Sequence, residues 1–247
     1  MKKLIVILLL LFVNNNSYAG NVELPEGFVY INDIDPSIKI SLRYNQNENF
    51  IGEVVQGCDC RKAVVTIVTA EALHNVQEEL AMYGYSLVIY DAYRPSKTYS
   101  KLDNWLQTEQ VDYRKNEYYP NLNKAGIIKA GYIKEKTAHV RGSTVDVTIM
   151  SLNGKLHSPY KKSKRSYKDQ QDIIYMDDGS VDMGTSYDFF DPLSAYANDA
   201  IPSTAKENRK MLRKIMQNYG FIPNEKFWWQ FTLVREPYRD SEFDFDV

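Results

Sequence analysis

His139 and Asp146 stand seven residues apart in TAHVRGSTVDVTI. Neutral imidazole and carboxylate are both good zinc ligands. A histidine on a loop and a carboxylate on the strand that follows can converge on one ion. The same pair can equally be a hydrogen-bonded structural pair, and spacing alone leaves both open. Arg94, in DAYRP, follows a strand end, where side chains often face a cleft. There a guanidinium can clamp a carboxylate or stabilise an oxyanion, or form a salt bridge to an acidic neighbour. The stretch EKFWWQFTLV, residues 225–234, sets Trp228, Trp229 and Gln230 in an apolar run, which reads either as a core strand or as the remains of a metal site. Of the other two histidines, His74 falls in a helical pattern and His157 borders a basic segment.

The elements that must position these residues follow from periodicity. Ile38, Ile40 and Leu42 alternate as in a half-buried strand. A helix is predicted from near Thr69, with Leu73, Val76, Leu80 and Tyr83 inward and Gly84 as its stop. SLVIY, residues 86–90, reads as a short buried strand. Pro95 can then open a helix with Tyr99, Leu102 and Leu106 inward. In STVDVTIM, Val145, Val147 and Ile149 alternate with Thr144, Asp146 and Thr148. Thr204 and Glu207 fit a capping box before a helix carrying Leu212, Ile215, Met216 and Tyr219. FWWQFTLV reads as a last strand. Separate helices and strands without regular βαβ alternation predict an α+β fold.

The 247-residue chain begins like a secretory leader. Lys2 and Lys3 precede the apolar run Leu4 to Val13, and Ser17-Tyr18-Ala19 supplies small residues at a cleavage site. Cleavage is expected after Ala19, giving a periplasmic or secreted chain of residues 20–247 in one domain; an uncleaved membrane anchor is the alternative. No later segment resembles a transmembrane span. Losing the two charges of Lys2 and Lys3 takes the formal net charge from -2 to -4, which argues against a general nucleic-acid binder. Cys58 and Cys60 lie one residue apart, open to three readings: unpaired or structural thiols, a strained disulfide, or a metal or intermolecular bond. A basic insertion at about 155–180, with Lys161, Lys162, Lys164, Arg165 and Lys168 close together, reads as an exposed loop, either simply solvated or touching an anionic polymer or membrane surface.

In order along the chain, NFIGEVV, YDAYRP, YYPN, TAHVRGSTVDVTI, VDMGTSYDFF, ENRKMLRKIMQNYGF, WW and EPYRDSEFDF resemble the D-alanyl-D-alanine dipeptidases of the M15 peptidase family, the group that includes the vancomycin-resistance dipeptidase. The family motif S-x-H-x-x-G-x-A-x-D falls on Thr137 through Asp146. His139, Gly142 and Asp146 match, while Thr137 and Thr144 replace the serine and the alanine. The resemblance implies a single α+β domain with a central, largely antiparallel sheet flanked by helices. It implies a Zn2+ enzyme that cleaves D-Ala-D-Ala, with His139 and Asp146 on the metal and Arg94 stabilising the transition state. It further implies Thr137, Asp188 and Tyr44 at the substrate, Asp188 meeting the dipeptide's ammonium.

The family's E-W-W-H motif, which supplies the general base and the third ligand, falls without a gap on Phe227-Trp228-Trp229-Gln230. Phenylalanine cannot take a proton, and losing a positioned base typically costs about 10²–10⁴ in rate. Glutamine oxygen is an uncharged, poor zinc donor beside imidazole. Glu225, two residues before Phe227, would sit about 6–7 Å away on an extended strand, beyond reach unless the strand bulges. His157 is a second conceivable recruit. Three functions remain: a member with hydrolysis lost or strongly impaired that still binds D-Ala-containing cell-wall peptides; an active dipeptidase with a rearranged zinc site; and a non-catalytic surface-interaction protein.

Overall fold

The sequence folds into fifteen named elements, in a computed structural model that describes residues 23–55, 57–58, 61–108, 112–134, 136–168 and 170–247. In chain order they are β1 (Phe28–Tyr30), α1 (Ile31–Ile34), β2 (Lys39–Ile40), β3 (Val64–Thr66), α2 (Ile67–Met82), β4 (Tyr85–Asp91), α3 (Thr98–Gln107), α4 (Lys115–Tyr118), α5 (Lys124–Lys129), β5 (Thr144–Ser151), β6 (Lys161–Arg165), β7 (Ile173–Asp177), α6 (Ser203–Asn218), β8 (Phe221–Pro223) and β9 (Gln230–Leu233). Short 3-10 turns add Ala138–Arg141 and Pro192–Ser194.

The central sheet has the order β2-β4-β5-β9-β8, and only β2 with β4 is parallel. This is the α+β fold that the sequence pattern predicts, with the largely antiparallel sheet that the resemblance implies. β4 and β5 are its spine. Both are buried on both faces apart from their outer ends, so the alternation seen in β5 separates two covered faces rather than a wet one and a dry one. Leu87 pairs with Ile149 and Ile89 with Val147 in the register. α2 lays Leu73, Val76 and Leu80, all 0% exposed, into the same core. Each such side chain contributes roughly 1.5–3 kcal/mol by leaving water. α6 brings Leu212, Ile215 and Met216 to the same core.

Several local expectations change. α2 begins at Ile67, two residues before Thr69, because the hydroxyls of Thr66, Thr69 and Ser143 bond one another and tie its first turn to the segment entering β5. α6 begins after Pro202 with no side-chain cap, so Thr204 lies inside the helix and makes no capping box with Glu207. β9 begins only at Gln230, with Trp228 and Trp229 in a turn before it. Trp228 donates its indole N–H to Thr185 Oγ1 at 2.9 Å, and Trp229 stacks on Phe227, so the aromatic run serves a packed turn rather than a strand.

The basic segment is not a free loop. β6 and β7 pair as an antiparallel hairpin. Sequence periodicity misses β6 because KKSKR is exposed almost throughout and carries no apolar face. Lys162 pairs with Glu117, Lys164 with Asp172 and Arg165 with Asp182. β7 buries Ile173, Tyr175 and Met176, and just beyond it Asp178 forms a buried ion pair with Arg43 and accepts from the Tyr90 hydroxyl. Much of the positive charge is thereby matched locally, which weakens the polymer-docking reading. Cys60 and the leader expected through Ala19 lie outside the described residues; Cys58 is buried. Among the described residues no helix is long and apolar enough to cross a membrane.

Candidate functional site

Three strands bring the site together in one row. Asp91 at the end of β4 pairs with Asp146 on β5, and Asp146 pairs with Gln230 at the start of β9. His139 is carried on the 3-10 turn Ala138–Arg141, whose entry is capped by Thr137 Oγ1 accepting from the His139 N–H at 3.4 Å. Gly142 ends that turn at φ +70, where a Cβ would lie 2.5 Å from the Phe28 ring. Both the left-handed backbone and the close aromatic require glycine here. The turn therefore delivers His139 to the top of β5 in one fixed pose.

His139 is 0% exposed. Its Nδ1 lies 2.8 Å from Ala92 O and 3.3 Å from an Asp91 oxygen. Its Nε2 lies 3.3 Å from Asp146 Oδ1. Burial opposes charge on the imidazole, but Asp91 and Asp146 outweigh it and the His139 pKa stands above the ordinary value. Burial likewise disfavours charge on Asp146, yet His139 beside it and the Tyr187 hydroxyl, donating to Oδ2 at 2.8 Å, hold its pKa down. Burial raises the Asp91 pKa, against the pull of Arg94 and His139.

Over this cluster opens a cavity of about 400 Å³, lined by Tyr44, Arg94, Thr137, Asp146, Asp188, Phe227 and Gln230 among others. Every site residue expected from the sequence reaches it except His139, which lies buried behind Asp146. Arg94 makes the salt bridge of one of its readings, its Nε 2.7 Å from an Asp91 oxygen, and its guanidinium also lies over the Tyr44 ring at 4.6 Å and lines the cavity. Tyr44 donates to Asp188 Oδ2 at 2.8 Å. Burial and then the charge of Asp146 push the Asp188 pKa well up. Asp188 holds the left-handed backbone at φ 57, uncommon for a residue with a side chain and often found at working sites. The segment around it is fixed from α6 by Arg209, which donates to the carbonyl oxygens of Met183, Ala195 and Leu193 at 2.7, 2.7 and 2.9 Å.

Sequence reasoning does not reach Asp91, Tyr187, Asn224 or Arg209. Asp91 was within reach, three residues before Arg94 in the quoted DAYRP. Asn224 has no signal at all: it matters only because a turn folds it back, so that its Nδ2 donates to Gln230 Oε1 at 2.8 Å.

Asp91, His139 and Asp146 are a group that could hold a metal ion, with potential ligand atoms all within 4.8 Å of one another. Their orientation fits a catalytic zinc poorly. Asp91 lies on the Nδ1 flank of the imidazole, paired with Arg94, whereas Asp146 lies on the Nε2 flank. The third-ligand position presents Gln230 Nε2, 3.3 Å from His139 Nε2 and 3.2 Å from Asp146 Oδ1. An amide nitrogen donates hydrogen bonds and offers a metal no lone pair. Catalytic zinc takes three protein ligands and an open water position, and this donor set does not supply them.

Neither conceivable recruit repairs the site. Glu225 sits in a turn rather than on an extended strand and is held by both terminal nitrogens of Arg213 at 2.9 and 2.6 Å. His157 bonds through its backbone to Asp178 O at the base of the hairpin. Neither is among the described residues that line the cavity.

The sequence also matches known proteins. The sequence profile of the Peptidase M15 family, described as D-Ala-D-Ala dipeptidase, matches residues 25–159 and 156–247. The chain is similar to a D-alanyl-D-alanine dipeptidase of Enterococcus faecium, 32% identical over 222 residues, covering 90% of this chain and 98% of that protein. A Streptomyces coelicolor protein of the same description is 29% identical over 221 residues, 89% of this chain and 98% of that protein. One from Escherichia coli is 24% identical over 203 residues, 81% of each chain.

Proposed function

The chain belongs to the D-Ala-D-Ala dipeptidase family, peptidase M15, and from that premise we propose that it binds D-Ala-D-Ala or D-Ala-containing cell-wall peptides in the periplasm and hydrolyses them very slowly or not at all. The observation that carries this reading is Phe227. It stands in the cavity wall at the base position, 7% exposed, stacked on Trp229 with ring centroids 5.0 Å apart.

No carboxylate among the described cavity residues is free to replace the base. Asp146 is engaged by His139 and Tyr187, Asp188 accepts from Tyr44, and Glu242 pairs with Lys136 at the rim. Groups suited to binding a dipeptide line the cavity: Arg94 for a carboxylate or carbonyl oxygen, Asp188 and Tyr44 for an ammonium, and Thr137, in place of the family's serine, beside them. A dipeptide held there would meet orientation without proton transfer. The leader through Ala19 is the basis for the periplasmic address, which points to wall fragments as the ligand.

A second reading, a working dipeptidase with a rearranged centre, is favoured by the proximity of Asp91 to His139 and Asp146. It requires Asp91 to leave Arg94 and cross to the Nε2 flank. A thermal-shift titration separates the two. D-Ala-D-Ala at about 100 times its Kd should stabilise a pure binder by about 2.7 kcal/mol, persistently, because the ligand is not consumed. A stabilisation that decays as D-alanine accumulates would favour the second reading.

A further inference from the structure

We infer that Gln230 takes the place of the metal itself: its amide nitrogen, locked in orientation by Asn224, holds His139 and Asp146 together by hydrogen bonds, so that the centre is complete without zinc. Gln230 is bonded to Asn224 twice. The Asn224 backbone N–H donates to Gln230 O at 2.9 Å, and Asn224 Nδ2 donates to Gln230 Oε1 at 2.8 Å. The second bond occupies the only side-chain atom of Gln230 able to ligate a metal. It leaves the NH2 pointing at the two groups that the family uses as ligands, at 3.2 Å from Asp146 Oδ1 and 3.3 Å from His139 Nε2.

The protonation pattern closes on itself. Nδ1 of His139 lies 2.8 Å from Ala92 O, which can only accept, so Nδ1 carries a hydrogen and in the neutral imidazole Nε2 accepts from the Gln230 amide. One NH2 group has two hydrogens and satisfies one acceptor with each. Asp146 receives its other bond from Tyr187. A zinc ion entering here would have to break both amide bonds and turn Gln230 against Asn224, stripping a buried acceptor of its partner. The inference deepens the functional reading and rests on it only for the identity of the ligand: a peptide carbonyl in the cavity would meet the N–H donors of Arg94 in place of a Lewis acid.

The test is zinc titration by calorimetry, with metal content by mass spectrometry, on the full mature chain and on Gln230→His and Asn224→Leu, each checked for folding by circular dichroism. The expected result is no stoichiometric zinc on the native chain, one zinc on Gln230→His, and zinc affinity raised about 10–100-fold in Asn224→Leu, the range by which partners of ligating groups tune affinity. One tightly held zinc on the native chain would overturn the inference. So would a folded Gln230→His protein that takes none, or an unchanged affinity in Asn224→Leu. A parallel titration with D-Ala-D-Ala, with and without EDTA, tests the functional reading separately: absence of binding under both conditions sinks that reading and leaves the zinc result standing.

Discussion

Gln230 and Asp146 face each other across β9 and β5 as register partners, with the glutamine amide nitrogen 3.2 Å from the carboxylate oxygen. A histidine at that place would turn a lone pair toward the same point; the glutamine turns a hydrogen. The amide nitrogen makes the position a hydrogen-bond donor rather than a metal ligand.

Restoring the chemistry therefore needs two changes. Under the proposed reading, Phe227→Glu alone gives a base beside a centre without zinc, and Gln230→His alone gives a centre without a base. The double substitution Phe227→Glu with Gln230→His should release D-alanine from D-Ala-D-Ala at a rate about 10²–10⁴ above Gln230→His alone. D-alanine measured by an oxidase-coupled assay decides this, and equal rates in the two proteins would contradict it.

Arg94 and Asp91 should act as a unit. Their 2.7 Å ion pair is buried, and breaking it from one side strands the other charge, at a cost of about 3–5 kcal/mol. Asp91→Asn should lower the melting temperature and weaken dipeptide binding by misaiming Arg94. Arg94→Lys, which cannot reproduce the planar fork, should weaken binding more than it lowers stability. Calorimetry and thermal denaturation on both variants check this; undiminished dipeptide affinity in Arg94→Lys would contradict it.

Arg209, which lies in the quoted run ENRKMLRKIMQNYGF without a role assigned to it there, should prove important to the site. Its guanidinium donates to three carbonyl oxygens of the segment that carries Asp188, and burial lowers its pKa to about 9. Arg209→Met leaves those oxygens unsatisfied and should cost about 3 kcal/mol or more. Chemical denaturation measures the loss, and hydrogen exchange should localise it to residues 183–195.

The pair His74–Asp35, 2.9 Å apart, ties α2 to the end of α1. Its hydrogen bond to Asp35 raises the His74 pKa. A raised histidine contributes stability that is fully present below its unfolded pKa, about 6.5, and is lost as pH rises through the higher folded value. His74→Gln should therefore lower stability at pH 5.5 and leave it nearly unchanged at pH 8.5. The side chain is 41% exposed, so solvent screening keeps the effect to about 0.5 kcal/mol. An equal loss at both pH values would mean the contact is packing, not charge.

Motif order carried much of the site. Arg94, Thr137, His139, Asp146 and Asp188 are all quoted in motif runs; Arg94 follows β4, Thr137 and His139 precede β5, Asp146 lies on β5 and Asp188 on a loop outside the sheet. Strand periodicity found β4 and β5, whose apolar content is continuous or alternating. It failed for β6, where KKSKR has no apolar face and pairing with β7 alone makes the strand. It failed again for Phe227 to Trp229, where aromatic packing in a turn imitates a strand. Asn224 was not legible because its effect is purely orientational: it selects which end of the Gln230 amide faces His139, and no spacing rule encodes that choice.

The most direct measurement is D-alanine release from D-Ala-D-Ala by the purified protein with added zinc, beside a His139→Ala control. The expected result is no release above the control, together with dipeptide binding that EDTA leaves unchanged. Release that disappears in His139→Ala would contradict the account, and would mean that the cavity has found a base and a metal that Phe227 and Gln230 do not provide.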